Sequence, residues 1–387
     1  MGNKRFHTGD VVLLSFSHFV HDLYTSFLPP LLPLIIEKLS INLGEAGFLS
    51  TILQVPSLLN PFIGVLADKK GLVKWLVILA PSMTAIPMSL MGNVSAYWML
   101  IVLLFIAGTS VALYHVPAPV LISDVSGTQK GKGMSFFMTG GEAARSVGPI
   151  FAVAMVAEFG LENFYPVMIF AIIMSVMLYF RLSKIEIPEN VLKPSPLMST
   201  VKEMKHIFIP LSGILTATAF MRSALSVFLP VFIQKQTGSL WLAGTGLAIY
   251  EALGIAGVLS AGIMSDRMGR GRILFIALIA APVTLCLFII THGYLSFFML
   301  LATGFTFLST TPVMLAIIQE NAGGNPSAAN GIFMMVSFVT RAVTVVLVGI
   351  IGDFTGLANM YLICAAIGLL ALPFLRNRYF RESLGRE

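Results

Sequence analysis

VVLLSFSHFVHDLYTSFLPPLLPLII (residues 11–36) is a run of apolar sequence longer than a bilayer is thick, interrupted near its middle by His18, His21 and Asp22. Its two ends belong in hydrocarbon. About 20 residues of helix cross a bilayer core of about 30 Å. Ionisable groups at such a depth are costly and generally face a bundle interior or a wet cavity. The fold question and the function question therefore start at the same place: what allows this helix to carry two imidazoles and a carboxylate through the membrane.

The rest of the chain repeats the apolar pattern. Of its 387 residues, 57% are hydrophobic and only 11% charged, against about a quarter charged in soluble domains. Twelve runs are long enough to span, at about 10–36, 46–67, 74–92, 97–122, 133–157 and 164–182, then 207–234, 241–264, 273–291, 295–318, 328–352 and 356–375. The predicted class is an all-α polytopic membrane protein. Between the sixth and seventh runs lies SKIEIPENVLKPSPLMSTVKEMKH (183–206), the one long polar stretch. It reads as a linker between an N-terminal bundle (1–182) and a C-terminal bundle (207–387).

Lys and Arg set the orientation, because cytoplasmic loops retain them. With both termini inside, nineteen of the 24 basic residues fall in cytoplasmic segments, only Lys38 and Lys235 fall outside, and Arg145, Arg222 and Arg341 lie within spans. The net charge of +6 then reflects topology rather than affinity for nucleic acid. The expected setting is a cell membrane, the inner membrane of a bacterium, with the chain acting as a monomer. MGNKRFHTGD followed by so long a run reads as a retained first span, not a cleaved leader. Cys286 and Cys364 sit in apolar runs without CxxC or Cys/His spacing, so no metal or redox pair is expected. GTGLAIYEALGIAG (244–257) lacks the GxxxxGK[ST] pattern of a phosphate loop and reads as close helix packing. No cofactor and no ATP hydrolysis are expected.

The two halves repeat each other. FLPPLL (27–32) matches FLPVFI (228–233), GVLADKKG (64–71) matches GIMSDRMG (262–269), and Arg145 and Arg341 fall on corresponding spans. Parallel six-helix repeats are the plan of the major facilitator transporters, and the two octapeptide loops resemble that superfamily's signature. In this reading Gly64 and Gly262 let helices approach, Asp68 and Asp266 cap or pair near a helix end, and Gly71 and Gly269 close the turns. The first copy departs from the signature in having Leu72 and Val73 where bases are usual.

Asp22, Glu142, Glu251, Arg145, Arg222 and Arg341 all fall near the centres of their spans. Three acids and three bases balance, either as structural ion pairs or as the lining of a cavity between the halves. His18 and Asp22 share a face at i,i+4, and Glu142 and Arg145 are neighbours at i,i+3. His21 aligns with Arg222 in the repeat. The forked donors of arginine suit carboxylates and phosphate-like groups, so Arg145, Arg222 and Arg341, with Glu251 and Tyr250 beside them, are the candidate substrate residues and an acid-bearing solute is favoured. The carboxylates equally allow a zwitterion or a cation. Asp22, His18, His21 and Glu142 are the candidate proton carriers, since histidine titrates near neutrality.

Two stretches resemble the fosmidomycin-resistance branch of the superfamily: SHFVHDLYTSFLPPLLP (17–33), and the pair GTSVALYHVPAPVLISD (108–124) and MTGGEAARSVGP (138–149). The resemblance implies proton-driven export of a phosphonate-like drug, with His18, Asp22 and His115 as functional positions. Glu142 and Arg145 follow Gly140-Gly141 where the branch is uncharged, and Val116 separates His115 from Pro117. Gly148-Pro149 resembles part of the antiporter motif, with Ala152-Val153 in place of its next glycines. The expected activity is proton-coupled efflux of a small organic solute by alternating access. The alternatives are an organic-anion exchanger or importer without net proton movement, and, from another class, a membrane-embedded metal enzyme.

Overall fold

In the computed structural model the described residues are 6–60, 62–63, 72–183, 197–321 and 326–376. Gly64, Asp68 and Gly71 of the first signature copy, and most of the 183–206 linker, lie outside them. Among the described residues, ten helices are long and apolar enough to cross a membrane. The helix at 43–59 is shorter, and the continuous thirty-residue helix Lys130–Phe159 carries Glu142 and Arg145 within it. These account for the twelve expected runs. Large apolar side chains stand exposed along them, among them Trp98, Phe180, Ile209 and Leu259. Such extensive apolar surface is what lipid-facing helices present.

Contacts divide the chain into two compact units. The first comprises Met1–Ile41, Ile52–Leu192 and Gly238–Ala248; the second comprises Asn42–Thr51, Lys193–Thr237 and Ile249–Glu387.

In the first unit the opening span is two helices, α1 (Thr8–Thr25) and α2 (Leu28–Leu39). The break follows from Pro29 and Pro30, which lack the N–H groups that would bond the carbonyls four residues earlier. Next to the break, Thr25 Oγ1 donates to Asp22 O (2.8 Å) and Ser26 Oγ to Leu23 O (2.7 Å). The next helix in the chain, α3 (Leu43–Gln54), belongs to the second unit through Thr51, and the first unit continues with α4 (Val73–Ser89), α5 (Tyr97–His115), α6 (Ala118–Val125), α7 (Lys130–Phe159) and α8 (Ile169–Leu182). Helix α7 lies along α1 at very short range. A Cβ on Gly140 would collide with the Ser15 carbonyl, and one on Gly148 with the Ser26 hydroxyl. Buried Asp10 accepts from Arg181 Nε at 2.5 Å and ties the start of α1 to the end of α8. Near the other end of the unit, Lys38 Nζ donates to Gly92 O (2.7 Å) and Glu162 Oε1 (2.8 Å). That hydrogen bond holds the exposed Glu162 carboxyl below its usual range. The small, solvent-screened stabilisation it gives is present above the ordinary carboxylate range and fades as the pH falls through the lowered value.

In the second unit, α9 (Leu197–Ser223) passes through a π-helical turn, Ala224–Phe228, into α10 (Leu229–Thr237). The interruption comes at the same place in the repeat as the α1–α2 break, just before the shared FLP. Helices α11 (Leu240–Met268, in this unit from Ile249 onward), α12 (Arg270–Ile290), α13 (Gly293–Leu308), α14 (Thr310–Asn321), α15 (Pro326–Thr355) and α16 (Leu357–Leu369) follow. A core of Ile207, Leu211, Ile214, Leu274, Leu278, Val313 and Ile317, among others, joins α9, α12 and α14. The glycines of 244–257 act in packing, as expected. Gly254 abuts Leu308 and Gly257 abuts the Phe305 carbonyl, leaving no room for a Cβ. Gly262 behaves otherwise, since a Cβ there would meet nothing within 4 Å. Close approach therefore does not explain that glycine of the second signature copy. Asp266 in the same copy does pair, with Arg270 at 2.6 Å, and Arg270 also reaches Glu320 at 2.9 Å.

The start of α3 is fixed by a reciprocal capping box. Asn42 Oδ1 accepts from Glu45 N (2.7 Å), and Glu45 Oε2 accepts from Asn42 N (2.9 Å). Asp353 at the end of α15 supplies the remaining acceptors, taking the N–H groups of Leu43 and Gly44 at 2.8 Å each. A carboxylate at a helix N-terminus is doubly favoured, by hydrogen bonding and by the helix dipole. Asp353→Ala is expected to destabilise the protein by about 1–2 kcal/mol, with Asp353→Asn intermediate. Thermal unfolding in detergent reads both.

Candidate functional site

The centre of α1 opens onto a buried polar cluster. His18 lies one turn before the adjacent His21 and Asp22 on α1, and all three are buried. Asp22 faces three imidazoles. His21 Nδ1 lies 2.9 Å from Oδ1, His115 Nε2 lies 3.1 Å from the same oxygen, and His18 Nε2 lies 3.3 Å from Oδ2. His115 comes from the last turn of α5, where the Val116-Pro117 sequence ends the helix.

The far side of each ring on α1 is also held. His18 Nδ1 is 2.7 Å from the Phe137 carbonyl on α7. A carbonyl can only accept, so Nδ1 carries a proton and Nε2 is the nitrogen aimed at Asp22. The His18 ring stacks on Phe137 at 4.0 Å, and His21 stacks on Tyr114 at 4.2 Å. His21 Nε2 meets Thr84 Oγ1 of α4 at 3.0 Å, and Tyr114 OH bonds Ser17 Oγ at 3.0 Å. Space for all this is made by Gly141. A Cβ there would come within 2.6 Å of His18 Cε1, 2.7 Å of its Nε2 and 3.0 Å of Asp22 Oδ2. Glu142 and Arg145, on the next turn of α7, form a direct ion pair with each other and are partly exposed.

The other candidates lie in the second unit. Arg222 is the last residue but one of α9, beside the π-helical turn, and the adjacent Ser223 hydroxyl bonds Thr344 Oγ1 of α15 at 3.0 Å. Tyr250 on α11 is 1% exposed, and its hydroxyl makes no hydrogen bond among the described residues. Arg222 and Glu251 are near enough to act on it electrostatically. The Arg341 guanidinium sits 5.3 Å above the Phe338 ring on its own helix. His18, His21, Asp22 and His115 are thus gathered in one place, and Arg222, Tyr250 and Glu251 in another. Sequence reasoning passed over Thr84, Ser110, Tyr114, Ser17 and Phe137, which hold the first cluster in shape. Hydroxyls scattered in apolar runs give no periodic signal.

This architecture, twin helical units with ionisable groups set inside spans, is that of a multi-pass membrane transporter. The family model of the Major Facilitator Superfamily matches residues 14–324 and 211–385, and the chain belongs to that superfamily, whose members are transporters and not enzymes. It is similar to the Fosmidomycin resistance protein of Escherichia coli, at 23% identity over 373 residues, covering 93% of this chain and 90% of that one. It is also similar to the Multidrug resistance protein MdtG of Salmonella paratyphi B, at 28% identity over 67% of each chain. Among solved structures it resembles a bacterial homolog of the human lysosomal transporter Spinster, with a TM-score of 0.80 at 14% identity and 99% of both chains covered.

Proposed function

We propose that the protein exports a small organic solute in exchange for protons by alternating access, with residues 1–182 and 207–387 as the two moving halves and 183–206 as their linker. It does so as a monomer in a bacterial inner membrane, with both termini cytoplasmic. The observation that carries the reading is Asp22 set against three imidazoles inside a spanning helix. The contacts from His21 and His115 have the length of a hydrogen bond, and His18 stands at 3.3 Å. The relatives named for fosmidomycin and multidrug resistance support efflux as the direction.

The solute bears an acid group and is bound by Arg222 with Tyr250 and Arg341 contributing. Support comes from the buried Tyr250 hydroxyl, which is left without a partner beside Arg222. Buried polar groups in that state normally have a partner in the working complex. Fosmidomycin, a phosphonate, is the first solute to test. At a concentration near 100 Kd it should stabilise the purified protein by about 2.7 kcal/mol. Arg222→Ala should cut affinity by roughly 10- to 100-fold and remove most of that thermal shift. Flux of the same solute in proteoliposomes, with and without an imposed pH gradient, tests the coupling. Flux that ignores the gradient supports the rival reading, an anion exchanger run by the arginines without net proton movement.

A further inference from the structure

The hydrogen bonds behind His21 run in a forced direction. Ser110 Oγ lies 3.0 Å from the Ala80 carbonyl, Thr84 Oγ1 lies 2.8 Å from Ser110 Oγ, and His21 Nε2 lies 3.0 Å from Thr84 Oγ1. All three side chains are fully buried. A carbonyl only accepts, so Ser110 gives it its one hydrogen. Ser110 must then accept from Thr84. Thr84, its own hydrogen spent, must accept from His21. The chain therefore fixes the proton of His21 on Nε2, as a hydrogen-bonded partner of the second ring nitrogen generally does.

This has a consequence at the other edge of the ring. Neutral His21 would turn the Nδ1 lone pair toward Asp22 Oδ1, 2.9 Å away. Two lone pairs do not meet at that distance, so one proton lies between them, on Nδ1 or on the carboxyl. We infer that Thr84 and Ser110 are positioning residues that lock His21 as an Nε2–H donor and make the His21–Asp22 pair the seat of the proton the transporter carries. Losing that proton without repulsion requires the whole relay to turn round. His21 would become the Nδ1–H tautomer, Thr84 would donate to Nε2, and Ser110 would donate to Thr84, leaving the Ala80 carbonyl without the Ser110 bond. The relay thus favours the protonated pair. The inference rests on the proton-coupled reading above and adds two residues from α4 and α5 to it.

The groups facing His21 are Asp22 and His18 from α1, and Tyr114 and His115 from α5. From α4 it meets the hydroxyl of Thr84. Glu142 and Arg145 on α7 pair with each other. None of the neighbours substitutes for Thr84 as acceptor at Nε2. Thr84→Val keeps the shape and removes that acceptor, so it should weaken proton binding and move the His21–Asp22 midpoint about one pH unit toward acid. Ser110→Ala frees the Thr84 hydroxyl to reverse and should shift it the same way by less. Thr84→Ser should restore the wild-type midpoint.

The test needs no solute. Nitrogen-15 NMR of the whole protein labelled at its histidines reads tautomer and charge directly, with the His21 signal assigned by its loss in His21→Asn. The expected result is an Nε2–H signal at His21 in wild type and Thr84→Ser, and a shifted midpoint in Thr84→Val and Ser110→Ala. Should Thr84→Val prove unstable, Ser110→Ala carries the test. A wild-type midpoint in Ser110→Ala and Thr84→Val, or an Nδ1–H tautomer in the wild type below its midpoint, overturns the inference. If either occurs while Asp22→Asn still abolishes pH-driven flux, the relay assignment alone fails. If Asp22→Asn leaves that flux intact, the proton-coupled reading fails with it.

Discussion

Asp22→Asn should abolish solute accumulation driven by a pH gradient while leaving solute exchange at zero gradient. The side chain keeps its volume, and its amide can donate to the neutral imidazole of His18 or His115, so the cluster stays hydrogen-bonded and the helices stay packed. What disappears is the negative charge that makes a protonated imidazole tolerable inside a span. Breaking a buried charge pair by removing one partner costs about 3–5 kcal/mol. Here the loss falls on the protonated state, whose population drops by on the order of 100-fold or more. Proteoliposomes loaded with solute separate the two activities. Counterflow with equal pH on both sides measures the conformational cycle, and efflux against an imposed gradient measures coupling. Loss of both would mean that Asp22 serves the structure. Loss of neither would mean that the proton travels elsewhere, with Glu142 the next residue to test.

Much of the site was legible because helical spacing transmits it. His18 and Asp22 at i,i+4 had to share a face, and their place in a long apolar run required that face to be buried against protein or water. Glu142 and Arg145 at i,i+3 had to be near each other, and they are paired. His115 was different. Nothing in its own neighbourhood pointed to α1, and it entered only through resemblance to a family; the fold brings it to 3.1 Å from Asp22. Thr84 and Ser110 were invisible for a physical reason. A hydroxyl in an apolar helix can always satisfy itself on the carbonyl one turn back, as Thr109 does at 2.8 Å on Phe105. Only the contacts between α1, α4 and α5 show which hydroxyls do more. The same holds for the glycines. GIMSDRMG drew attention through its repeat, yet Gly262 has open space around it, whereas Gly140 and Gly141 lie where α7 packs closely on α1.

Those two adjacent glycines should respond to the same substitution in opposite ways. Gly140 faces the backbone of α1, and a methyl group there meets the Ser15 carbonyl, with Phe19 N next at 3.4 Å. Backbone cannot step aside without moving a helix, so Gly140→Ala should separate α7 from α1 and destabilise the protein by about 3 kcal/mol. Gly141, a residue further round the helix, faces side chains instead. Its added methyl would press on the His18 ring and Asp22 Oδ2. His18 has little freedom to yield, because Phe137 stacks on one face and the Phe137 carbonyl holds Nδ1 at 2.7 Å. The cheaper response is for the Asp22 carboxylate to swing away from the imidazoles. Gly141→Ala should therefore lose most of its pH-driven flux while losing no more than about 1–2 kcal/mol of stability. Gly140→Ala should lose stability first, and activity only through the fraction unfolded. Thermal unfolding and pH-driven flux measured side by side on the two variants distinguish these outcomes. The reverse pattern, a stable Gly140→Ala without coupling and an unstable Gly141→Ala with it, would show that α7 meets α1 through a different face and that the cluster around Asp22 is assembled otherwise than described.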